Sequence, residues 1–153
     1  MGLKPQNKVN IKNRRAYFEF EIIEKFIAGI QLQGTEIKSI RLGKAGLTDA
    51  YCQLFRGEMF VKNLHIAEYD FGTNSNHESK RERKLLLQKK ELKKLDRKVK
   101  ESGLTLIPLR LFMTDRGWAK LEIAIAKGKK THDKRESLKQ KDSKRDIDRM
   151  MKH

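Results

Sequence analysis

The residues able to do covalent chemistry are few and dispersed. His65, His77, His132 and His153 stand far apart, with no HxxxH pair and no acidic cluster at metal-ligand spacing. Cys52 is the one cysteine, so no intramolecular disulfide and no Cys-based zinc cluster can form. It lies between Tyr51 and Gln53 in a strand-like run and reads as a buried, inert thiol. No Walker motif or glycine fingerprint is present. A composite nuclease site from Glu36, His65 and Asp70 has no supporting motif, so the chain reads as a non-enzyme without metal or cofactor.

The chemistry that remains is electrostatic. The 153 residues carry 36 Lys or Arg against 20 Asp or Glu, a formal net charge of +16. Such an excess calls for a polyanionic partner, nucleic acid before an anionic membrane surface. No apolar run reaches the roughly 18 residues of a membrane span. Met1 to Asn13 is polar and lysine-bearing, without the apolar core of a signal peptide. The expectation is a soluble cytoplasmic monomer.

The stretch Gly34 to Arg41 organises the elements that must position these charges. Thr35 is a candidate N-cap, and Lys38 and Arg41 fall in the last turn, where cations suit the helix dipole. Ile37 and Ile40 share a face. One reading is a short helix plugging a small β-barrel, with Glu36, Lys38 and Arg41 held beside whatever the barrel binds. The other is a surface helix with solvated charges.

Around it the pattern is mostly β. A polar, basic arm (residues 1–7) leads into a first strand near Lys8 to Ile11. Alternation over 17–32 predicts a half-buried strand or strand pair, with Gly29 marking a bulge or bend. Tyr51 to Phe55 and Met59 to Leu64 make a hairpin around Arg56, Gly57 and Glu58. Asp70 to Ser79 is loop. Leu92, Leu95 and Val99 predict a basic amphipathic helix that Ser102 and Gly103 stop. Pro108 predicts an edge or bulge within a strand over 104–113. Leu121, Ile123 and Ile125 alternate with Lys120, Glu122 and Ala124 as a last strand.

Composition changes at Lys127. Residues 127–153 hold 11 Lys or Arg and 5 Asp or Glu, with Leu138, Ile147, Met150 and Met151 their only large apolar side chains. That is too little to offset an ordering cost of roughly 1–2 kcal/mol per residue, so this tail is expected to be disordered when free. Asp133 with Glu136 could cap a helix formed on a partner surface. The domain expectation is a barrel over 1–126 and a basic tail over 127–153. The fold expectation is mainly β: a small closed OB-like barrel with a short inter-strand helix and a second helix, or else an SH3-like barrel.

Several stretches together resemble one family. They are GTEIKSIR at 34–41, GKA at 43–45, His65-Ile66 followed by Tyr69, RKLLLQKKEL at 83–92, and AKGKKTHDKR at 126–135. In this order, over nearly the whole chain, they resemble the SmpB (SsrA-binding protein) family of bacterial trans-translation. The resemblance implies an OB-type barrel that binds the tRNA-like domain of tmRNA. It also implies a tail that probes the empty mRNA channel near the decoding centre of stalled ribosomes, against small-subunit rRNA. The tmRNA-facing residues would be Glu36, Lys38, Arg41, Arg83, Lys84, Leu86 and Gln88. The tail residues would be Lys127, Lys129, Lys130, His132, Asp133, Lys134 and Arg135. Gln88 falls where many members carry His or Asn, and Ala50 replaces a serine the family often has between Asp49 and Tyr51. A structural ribosomal protein with an OB core and a basic extension is the alternative function.

Overall fold

The computed structural model describes residues 9–72, 76–101 and 103–129. The arm at 1–7 and the tail from Lys130 onward lie outside them. Nine strands and three helices run in the order β1 (Asn10–Lys12), α1 (Arg14–Glu19), β2 (Phe20–Ile30), α2 (Gly34–Arg41), β3 (Ala45–Gly46), β4 (Tyr51–Phe55), β5 (Glu58–Lys62), β6 (His65–Ile66), β7 (Arg83–Leu86), α3 (Lys89–Val99), β8 (Leu104–Met113) and β9 (Ala119–Gly128) among the described residues.

Seven strands form one antiparallel sheet in the order β1-β8-β9-β2-β7-β5-β4, and β3 pairs with β6 separately. Its inner face follows from the alternation. Phe26, Ala28 and Ile30 of β2, Leu121, Ile123 and Ile125 of β9, Met59 and Val61 of β5, and Leu85 of β7 all join one buried core. Cys52 is buried there too, and burial pushes its thiol pKa up. Ile40 of α2 and Leu95 of α3 are fully buried in the same core. α3 therefore docks by the apolar stripe that its spacing predicts, with Leu92 and Val99 packed around Leu95, while α2 enters the core through Ile40. The ends of the ladder are β1 and β4. Cys52, Gln53 and Leu54 of β4 face Leu104, Thr105 and Leu106 of β8 across a cleft of about 230 Å³. No ladder among the described residues joins these two strands.

Three expectations need correction. The alternation from Tyr17 begins in a helix rather than a strand. Asn13 caps α1, its side-chain oxygen accepting from Ala16 N–H at 3.3 Å. The same side chain donates to the Pro108 carbonyl at 3.0 Å, which ties the helix to β8. Gly29 is not a bulge: β2 shifts register between Ile22 and Glu24 instead. Gly29 marks a close approach, since a Cβ there would lie 3.3 Å from Leu86 Cβ. The N-cap of α2 is Gln33, not Thr35.

The proline signal reads correctly. Register shifts between Pro108 and Arg110, so β8 carries a bulge while paired on both sides. At the tight hairpin, Arg56 and Gly57 both take positive φ, at 51° and 77°. That is the geometry of a two-residue turn matched to strand twist. The composition change at Lys127 precedes the end of pairing, because β9 runs on to Gly128 with Lys127 opposite both Glu21 and Leu104.

Candidate nucleic-acid interface

Glu36 sits in the first turn of α2, where a carboxylate can accept from the free backbone N–H groups. Its Oε1 accepts from Gln33 N–H at 2.8 Å and from Arg81 Nη2 at 2.6 Å. Its Oε2 accepts from Arg83 Nε. Arg83 is itself fully buried and donates to the carbonyls of Leu64 at 2.7 Å and Ser79 at 3.2 Å. Burial alone would raise the Glu36 carboxyl pKa. The Gln33 N–H and the two guanidinium groups outweigh it and hold the carboxyl below the ordinary range. Burial pulls the Arg83 pKa down, and the Glu36 carboxylate opposes that pull.

The expectation that Glu36 projects with Lys38 and Arg41 toward a bound partner is therefore corrected. Glu36 and Arg83 have no exposed surface, and both charges are matched inside the fold. Together they fasten α2 to the chain segment entering β7. Two further contacts do the same: Thr35 Oγ1 meets His77 Nδ1 at 2.8 Å, and His77 Nε2 meets the Ile66 carbonyl at 2.9 Å. Of the nuclease constellation Glu36 is sealed between guanidiniums, and Asp70 pairs with Lys44 at the surface at 3.1 Å. Among the described residues no group of three or more His, Cys, Asp or Glu could hold a metal ion. No described helix is long and apolar enough to cross a membrane.

Lys38 and Arg41 are exposed on α2, with Lys38 Nζ 5.3 Å from the Tyr69 ring centroid. Lys84 Nζ donates to Glu58 at 3.0 Å. Gln88 is exposed as the N-cap of α3, where its N–H donates to Glu91 at 3.1 Å. Leu86 is 49% exposed. Lys129 is tied back to α1: its N–H donates to the Glu19 carbonyl at 2.9 Å and its Nζ to Tyr17 O at 3.1 Å. Lys130, His132, Asp133, Lys134 and Arg135 lie outside the described residues.

The register extends Leu86 into a wider surface whose other members, Lys120 and Phe112, the sequence did not single out. Gly29 stands opposite both Leu86 on β7 and Lys120 on β9, and Lys120 stands opposite Phe112 on β8. Directly opposed residues share a face, so Leu86, Lys120 and Phe112 form one outward row across four strands. The glycine leaves the row open, for its missing Cβ would lie 3.7 Å from Lys120 Nζ. Ile27, 53% exposed, stands two rungs along on the same face, opposite Glu122, which pairs in turn with Arg110 at 3.2 Å. The alternation around Lys120 was the available signal. Which strands it would lie between could not be read from it.

A fastened short helix with outward cations, beside an open sheet face of lysine and apolar side chains, defines a small basic β-sheet protein suited to a polyanion. The family model described as "SmpB protein" matches residues 10–153, and the chain belongs to that family. The SsrA-binding protein of Phocaeicola vulgatus is 59% identical over 98% of this chain and 99% of its own. That of Bacteroides thetaiotaomicron is 57% identical over 96% of this chain and 98% of its own. A solved structure described as "tmRNA-SmpB: a journey to the center of the bacterial ribosome" is 43% identical, with a TM-score of 0.70, over 85% of this chain and 94% of that one.

Proposed function

We propose that this protein binds the tRNA-like domain of tmRNA and delivers it to stalled ribosomes in trans-translation. It acts as a cytoplasmic RNA-binding factor, a monomer without catalytic chemistry or cofactor. The family match over residues 10–153 carries this reading. The barrel unit is residues 1–126, extended by the last two residues of β9, and the sheet curls into an OB-like barrel that closes where β4 meets β8. The tail from there to His153 probes the empty mRNA channel near the decoding centre, through Lys130, His132, Asp133, Lys134 and Arg135, with Lys127 and Lys129 at its root.

On the barrel, Lys38, Arg41 and Lys84 meet phosphates, while Leu86 and Gln88 meet exposed nucleotide edges. Glu36 and Arg83 serve binding from within, by fixing α2 and Arg81. The test is recovery of the tagged protein from a bacterial lysate followed by sequencing of its RNA. Strong enrichment of tmRNA is expected. Enrichment no greater than for an unrelated protein of equal charge would overturn the reading.

A further inference from the structure

Trp118 is the only tryptophan in the chain, and it is 69% exposed. Its backbone is fixed: Thr114 N–H donates to the Trp118 carbonyl at 2.8 Å, and Trp118 N–H donates to Thr114 Oγ1 at 3.1 Å. The next rungs pair Met113 with Ala119 and Phe112 with Lys120. Met113 and Leu121 point into the core, so Trp118 and Lys120 share the outward side. The indole thus stands beside that row, one same-face step along the chain from Lys120. Arg41 approaches from α2: a Cβ on Gly117 would lie 4.0 Å from its Nη2. Arg110 Cζ lies 4.2 Å from the Phe112 ring centroid, and its charge is paired with Glu122.

We propose that Trp118, flanked by Arg41 and Lys120, is a stacking subsite for an unpaired nucleotide of tmRNA. A large ring left in water on a well-fixed turn offers a π-face to any base. The two cations beside it match the phosphates on either side of that base. Every base has such a face, so the subsite adds affinity with little sequence preference. Its place beside Lys120, on the face that carries Leu86, assigns the nucleotide to tmRNA rather than to ribosomal RNA. The inference rests on the tmRNA reading above.

Because Trp118 is the sole tryptophan, its emission reports the subsite directly in the full chain. The protein is titrated with tmRNA while complex formation is followed independently by filter retention. Emission should quench, and acrylamide should lose access to the indole, over the same tmRNA range in which the complex saturates. Trp118→Ala should weaken binding about 5- to 150-fold, equivalent to about 1–3 kcal/mol for one stacked base. Trp118→Phe should recover part of that, and neither variant should lower Tm appreciably.

A saturated complex with unchanged emission and acrylamide access would overturn the subsite and leave tmRNA binding standing. So would wild-type affinity in Trp118→Ala. Absence of any complex would overturn both readings. Quenching by small-subunit particles but not by tmRNA would overturn the assignment to tmRNA.

Discussion

Glu36 and Arg83 are 47 residues apart in sequence, yet they form a direct ion pair with no exposed surface on either side chain. The pair joins the first turn of α2 to the start of β7. Taking two charges out of water is costly, and the arrangement is sustained because nearly every polar atom is matched. The carboxylate accepts from Gln33, Arg81 and Arg83, and Arg83 also donates to the Leu64 and Ser79 carbonyls. Its role is to hold the cationic face of α2 at a fixed position beside the sheet.

Glu36→Ala should therefore act first on stability. Removing one partner of a buried pair leaves the other charge uncompensated, at a cost of about 3–5 kcal/mol. A fall in Tm on the order of 10 °C should follow for a domain of this size. Affinity for tmRNA per folded molecule should change less. A thermal melt unchanged from wild type, with affinity lost, would mean that Glu36 contacts RNA directly.

Acid should loosen the same joint. The Glu36 carboxyl titrates lower in the folded protein than in the unfolded chain. Its contribution to stability is then complete above the unfolded value, near pH 4.3, and is lost as pH falls through the folded value. Arg81→Ala removes one of the groups that lower it. The midpoint of acid unfolding, followed by circular dichroism, should move to higher pH in that variant. An unmoved midpoint would show that Arg81 does not hold the carboxylate.

The α2 helix was legible because Ile37 and Ile40, the last-turn cations and Gly34 all agree. The orientation of Glu36 was not. Its guanidinium partners come from 45 and 47 residues away, and no local pattern carries that information. The first helix was hidden for another reason: Phe18, Phe20 and Ile22 alternate as a strand would, while the Asn13 cap and its bond to the Pro108 carbonyl favour a short helix over Arg14–Glu19. At Lys127 apolar periodicity ends, but backbone pairing does not depend on apolar side chains and continues to Lys127 with β8 and to Gly128 with β2. The outward row through Gly29 needs the strand order, which alternation alone cannot supply.

The tail and the barrel should separate cleanly. Lys129 is bonded to Glu19 and Tyr17, so the cut belongs after it. The chain truncated there should keep its Tm and bind tmRNA nearly as the full protein does, yet fail to support peptide transfer to tmRNA on stalled ribosomes. A scrambled tail of equal charge should not rescue it. Full rescue by the scrambled tail would reduce the segment to a nonspecific basic anchor.

The central claim is selective binding of tmRNA by the barrel. Its most direct test is a side-by-side titration of tmRNA and an unrelated structured RNA of equal length at physiological salt. Nonspecific phosphate contacts alone give a Kd of roughly 10⁻⁴–10⁻⁶ M under these conditions and fall steeply with added salt. The account predicts binding to tmRNA at least about a hundredfold tighter than to the control RNA, with the margin retained as salt rises. Equal affinity for the two RNAs, lost together as salt rises, would contradict it.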